Sequence, residues 1–162
     1  MKRTWAPRGQ TPIHYHVFSK DKISAISALT LSPQRRHIGL YAHFWQNNLS
    51  GEEVEIFLKY LFQHLRGPIV LLWDRASIHK NERLQKLFES NPRVQVEEFP
   101  AYAPELNPAE YIWNQSDSAL SNTAPEDLSE LERLLTESIG HTGKSQKLLW
   151  ACIHASDLPW DK

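Results

Sequence analysis

The sequence predicts an α/β fold, a mixed sheet flanked by helices, and three observations carry that prediction. Ile69–Trp73 is a short apolar run between Gly67-Pro68 and Asp74, which reads as a buried strand. Behind Ser50-Gly51-Glu52-Glu53, a capping box, the residues Val54, Phe57, Leu58, Leu61, Phe62 and Leu65 recur at helical spacing and can cover one face of a sheet. In residues 37–45, Ile38, Leu40, Ala42 and Phe44 alternate with less apolar neighbours, the period of a strand with one buried face.

Taken in order, residues 1–12 are turn-rich, with Pro7, Gly9 and Pro12 as punctuation. Residues 13–19 form a possible short edge strand, and Ser19-Lys20-Asp21-Lys22 reads as a turn. A β-rich run follows at Ile23–Leu31. The short link Ser32-Pro33-Gln34-Arg35-Arg36 predicts that this strand and the next, 37–45, are antiparallel. After the capped helix and the strand at 69–73, a helix is expected at about 80–90, a turn at Asn91-Pro92 and a strand around 94–99. Asn107 and Pro108 suit the start of another helix. Thr123-Ala124-Pro125-Glu126 offers a second capping box, opening a helix with Leu128, Leu131, Leu134, Leu135 and Ile139 inward that ends near Gly140. A last helix around 145–154 buries Leu148, Leu149, Cys152 and Ile153.

No repeat, low-complexity tract or linker divides the chain, so residues 1–162 are expected to form a single domain. Its length and 41% hydrophobic content are enough for a packed core. One cysteine, Cys152, excludes an internal disulfide framework and suits a cytoplasmic location. No apolar stretch reaches the ~20 residues that span a membrane, so no membrane partner is expected. The formal net charge of −1 lacks the basic excess usual in a free-standing DNA-binding protein. Contact with DNA must then come from local patches or from a basic module outside this chain.

Two acids stand where chemistry can be placed. Asp74 ends an apolar strand, at the carboxyl edge where open α/β sheets hold ligands. Glu110 projects from the first turn of the helix that begins at Asn107-Pro108. Each also has a plainer role: an Asp after a strand often closes a turn, and Glu110 fits the return arm of a capping box on Asn107.

The segments WDRASIHK and FPAYAPELNPAEYIW, which hold these acids, resemble the second and third acidic motifs of DDE transposases. They are most similar to the bacterial insertion-sequence branch of the mariner-like superfamily. RTWAPRGQTP and ISAISALTLSP upstream and SQKLLW downstream extend the likeness over nearly the whole chain. The resemblance implies an RNase H-like sheet flanked by helices and Mg²⁺ (or Mn²⁺) held by acids, here Asp74 and Glu110, with Asp74 bridging two ions. It also implies DNA, transposon ends and target, as partner. In that family the first acid lies on a central strand upstream of the Trp-x-x-x-Gly-x-x-Pro stretch, which begins here at Trp5. The expectation is therefore a domain truncated at its N-terminus, lacking that strand and the helix-turn-helix region, and relying on self-association or an upstream transposase segment. The alternative is a non-catalytic fragment that acts as an interaction or regulatory partner of intact transposase.

Other residues fit this chemistry less well. Asp117 lies about 10 Å further along the helix axis from Glu110, too far to share an ion. Asp21 sits in a turn and substitutes poorly for a missing acid. His14 and His16 share a strand face but have no Cys or third His at a zinc interval. Asp74, Ser77 and His79 lack the Gly-x-Ser-x-Gly elbow of a hydrolytic triad. Lys80, Arg83 and Lys86 form a stripe that either wets a helix face or steers a phosphate backbone. Arg75 stands where the family usually has Asn, adding a cation beside the metal position.

Overall fold

The computed structural model describes residues 22–74, 76, 81–121, 123 and 125–159. The expected edge strand at 13–19 lies outside them, as do Asp21, His14, His16, Arg75, Ser77, His79 and Lys80.

Strands β1 (Ser24–Leu31) and β2 (Ile38–Trp45) pair antiparallel, in register from Leu31 opposite Ile38 to Ser24 opposite Trp45. Their turn is closed by Ser32, whose Oγ accepts from the backbone N–H groups of Arg36 (3.0 Å) and His37 (3.1 Å). Helix α1 (Gly51–His64) carries the expected capping box on Ser50 and Glu53 and buries Val54, Phe57, Leu58, Leu61 and Phe62. Gly67, at φ +79°, turns the chain where a side chain would be strained. Strands β3 (Ile69–Trp73) and β4 (Val94–Glu98) are parallel and are joined through α2 (Glu82–Glu89), the crossover that parallel strands require.

Helix α1 lies over both strand pairs. Its buried residues form one cluster with Leu84 and Leu87 of α2, against Ile26, Ala28, Tyr41 and Trp45 of the first pair and Ile69, Leu71, Trp73 and Val94 of the second. The opposite face of β1–β2 packs on the C-terminal helices α3 (Pro108–Leu120), α4 (Leu128–Gly143) and α5 (Gln146–Ala155). There Ile38 meets Ile112, Ile139, Leu149, Cys152 and Ile153. Among the described residues, no backbone ladder joins the two strand pairs.

Three expectations are corrected. β2 has two covered faces, because Tyr41 and Trp45 turn toward α1 while Leu40, Ala42 and Phe44 meet the C-terminal helices. β3 is covered on one face only: Val70 is 63% exposed and Leu72 45%, because the C-terminal helices cover the first pair and not the second. Helix α4 starts at Leu128, four residues later than the Thr123 cap predicts. Asp127 caps it by accepting from Glu130 N–H (2.8 Å), while the Thr123 hydroxyl is spent on the Leu120 carbonyl (2.9 Å) at the end of α3. The helix runs through Gly140 to Gly143, and its leucines at 128, 131, 134 and 135 are only half-buried.

Candidate active site

Asp74 follows β3 directly and is exposed. Its Oδ1 accepts from the backbone N–H of Ala76 at 2.9 Å, so the plainer role, closing a turn after a strand, is realised. That role leaves chemistry open, since a carboxylate offers about four lone-pair positions.

The second acid is reached from the neighbouring strand. Phe99 N–H donates to the Trp73 carbonyl (2.8 Å), which extends the parallel ladder past β4 and seats the following loop beside the residue before Asp74. A single 3-10 turn, Pro104–Leu106, then leads into α3. Asn107 caps α3 by accepting from Ala109 N–H at 3.1 Å. The capping box that was the plainer alternative for Glu110 is not formed. The Asn107 N–H that Glu110 would accept from is already donated to the Pro104 carbonyl (2.9 Å). Glu110 is exposed in the first turn, and among the described residues its carboxylate has no hydrogen-bond or ion-pair partner. Two residues on, Ile112 is completely buried and anchors the opposite side of α3 in the core.

Of the basic stripe on α2, Arg83 reaches across to α1 and Lys86 pairs within its own helix. Arg83 pairs with Glu55 (3.5 Å) and Glu52 (3.9 Å), and Lys86 pairs with Glu82 (3.9 Å). Asp117 is exposed further along α3. Among the described residues, no group of three His, Cys, Asp or Glu side chains converges as a metal cluster. The donors that Asp74 and Glu110 present are carboxylate oxygens, which fit a hard divalent cation and not a thiophilic one.

The family model of the DDE superfamily endonuclease matches residues 1–132. This chain belongs to that family. No curated protein matches the DDE superfamily chain. Solved structures do. The Mos1 mariner transposase catalytic domain superposes with a TM-score of 0.61 at 16% identity, over 82% of this chain and 74% of that one. The Mos1 strand transfer complex gives 0.64 at 17% identity, over 94% of this chain and 45% of that one. The Mos1 catalytic domain with Raltegravir and Mn gives 0.60 at 16% identity, over 82% and 75%. The DDE superfamily chain thus spans about three quarters of the catalytic domain and under half of the longer transposase chain. At these identities the likeness shows the fold: mixed α/β, with small sheets between helices, in the RNase H-like class the sequence resemblance implied.

Sequence reasoning passed over two residues at or near this edge, and a third, Arg93, at the opposite end of the same strand pair. Arg93, 28 residues from Leu65, donates to the carbonyls of Leu65 (2.8 Å), Gly67 (3.0 Å) and Phe62 and so closes the end of α1. Glu98 ends β4 in register with Trp73. Tyr102 stands fully exposed with a backbone φ of 59°. Its sequence signals are its place in the FPAYAPELNPAEYIW segment and the turn-rich stretch Pro100-Ala101-Tyr102-Ala103-Pro104 around it.

Proposed function

We propose that this chain is the catalytic domain of an insertion-sequence transposase, cutting and joining DNA strands with a divalent metal held by Asp74 and Glu110. The observation that carries this reading is the Phe99–Trp73 hydrogen bond, by which the loop leading to Glu110 leaves the same strand edge that Asp74 ends. The family match supports an endonuclease. The fold neighbours supply the context of strand transfer and of a Mn-bearing catalytic domain.

In this reading the two carboxylates come within about 10 Å of each other, the range from which two ions ~3.5–4 Å apart can be held. The N–H of Ala76 fixes one oxygen of Asp74, and the Asn107 cap with buried Ile112 fixes where Glu110 points. When bound, Mg²⁺ or Mn²⁺ supplies an activated water and neutralises charge at the phosphorus. The chain itself orients the ion and keeps acid side chains at an edge open to a DNA strand.

The domain is read as needing one more acid. Two carboxylates bind Mg²⁺ weakly, because Mg²⁺ gives up water reluctantly. The two strand pairs lie under one helix with no ladder between them among the described residues, which suits an acid-bearing strand added to the sheet. An upstream transposase segment or a second copy would supply it.

The test is nicking of supercoiled plasmid in Mg²⁺ or Mn²⁺, by the chain alone and by the chain with an Asp-bearing transposase segment, with Glu110→Gln as control. The expected result is no nicking alone and Glu110-dependent nicking once the segment is present. Nicking by the chain alone that is lost in Glu110→Gln would show that two acids suffice. No nicking with the segment would favour a non-catalytic partner of intact transposase.

A further inference from the structure

Tyr102 shares an exposed, positive-φ position with Arg35 of the β1–β2 turn, but it is the aromatic residue of the two. Its side chain is fully exposed, at 101% of the reference area, and its backbone lies in the left-handed region at φ 59°. Glycine or asparagine is the usual occupant of such a position, and a bulky residue there is an outlier. Strain of this kind persists where the surroundings over-determine it, and it clusters at ligand sites.

The exposure does not come from a slack loop. The segment is tied at Phe99 to the Trp73 carbonyl (2.8 Å). It is tied again by Leu106 N–H to the Ala103 carbonyl (3.1 Å) and Asn107 N–H to the Pro104 carbonyl (2.9 Å). From the far end of the chain, Asp157 N–H donates to the Glu105 carbonyl at 2.9 Å. Pro100 and Pro104 limit the backbone further. The ring is thus held out on a braced arm, on the loop that leads from Phe99 to Glu110.

What such a ring can bind follows from the charges around it. Arg75 follows Asp74 in the sequence and adds a cation there, while Arg83 and Lys86 are engaged in ion pairs. The segment from Phe99 to Glu110 that carries Tyr102 holds no Lys or Arg, so an uncharged contact is the kind it can offer a DNA strand. The face of a base that has left the duplex stack provides it, and stacking on an aromatic ring tolerates any sequence.

We propose that Tyr102 is a stacking platform for an unpaired nucleobase next to the phosphate to be cut, a positioning residue for the strand. The proposal rests on the DNA-cutting reading above.

The experiment measures binding of the full chain to a fluorescein-labelled blunt duplex and to the same duplex ending in a short unpaired fork, by fluorescence anisotropy with Ca²⁺ in place of Mg²⁺. The wild type is expected to bind the fork more tightly than the blunt end. Tyr102→Ala should weaken fork binding by roughly 5- to 150-fold, the range measured for a base on an aromatic ring, and leave the blunt duplex unchanged. Tyr102→Trp should keep the preference. Tyr102→Gly removes the same ring while easing the backbone, so a failure to fold cannot stand in for loss of stacking. Because stacking releases no counterions, the effect of the substitution should be the same at low and high salt. A fork preference that survives in Tyr102→Ala, its absence in the wild type, or equal loss on both DNAs overturns the proposal. If the wild type binds neither DNA even with the Asp-bearing transposase segment present, the DNA-cutting reading falls, and the platform falls with it.

Discussion

The backbone N–H of Phe99 donates to the carbonyl of Trp73 across 2.8 Å, one step beyond the last residue of β4. This single bond makes the end of one strand the starting point of the loop that serves the other. Asp74 is the residue that follows β3, and Glu110 is reached along the loop that Phe99 begins. That bond ties the start of the loop leading to Glu110 to the residue before Asp74.

Helix α1 is the structural centre, because it covers both strand pairs, and Leu61 in its last turn is 2% exposed. Leu61→Ala should lower the unfolding free energy by about 2–5 kcal/mol, the range for a buried large-to-small change. Urea denaturation measures it. A loss below about 1 kcal/mol would contradict the packing described.

Arg93 closes the other end of that helix through the carbonyls of Phe62, Leu65 and Gly67. Hydrogen bonds from a charged donor contribute about 1.5–3 kcal/mol. Arg93→Ala should cost about that much in the same denaturation assay, and Arg93→Lys should recover only part, since an ammonium lacks the planar fork. Full recovery by Lys would show that charge alone matters there.

The capping box gives a pH dependence of known sign. Glu53 accepts from the Ser50 hydroxyl and from the Ser50 backbone N–H (2.8 Å), and the Ser50 hydroxyl foremost holds its carboxyl below the ordinary value of 4.5. The folded form therefore binds this proton less readily than the unfolded chain. The stabilisation is complete above the ordinary value and is lost as pH falls through the lower folded one. Urea midpoints followed from neutral pH to about pH 3 should drop less steeply in Glu53→Gln than in the wild type. Equal slopes would remove Glu53 from the acid response.

Local signals explain what was legible beforehand. The Ser50–Glu53 box and the spacing of Val54, Phe57, Leu58 and Leu61 placed α1, and the Gly67-Pro68 and Asp74 brackets placed β3. The open outer face of β3 was not legible. An apolar run of five residues looks the same whether one or two layers cover it, and Val70 and Leu72 learn which only from the position of α3–α5. The start of α4 was misplaced because Thr123 and Asp127 are both good caps, and Thr123 was taken by the end of α3. Glu110 was legible as a residue type in a motif. Its lack of a capping role depends on the 3-10 turn before it, which no periodicity announces. The Arg93 contacts cross 28 residues to Leu65, beyond any local pattern.

The central claim is that Asp74 and Glu110 hold the same divalent ion. The direct measurement is Mn²⁺ titration of the wild type, Asp74→Asn, Glu110→Gln and the double variant, followed by electron paramagnetic resonance of free Mn²⁺. Shared coordination predicts that each single substitution weakens binding and that the double variant is no weaker than the worse single, the non-additivity of two groups acting on one ligand. Wild-type affinity in Glu110→Gln, or losses that simply add, would contradict the account.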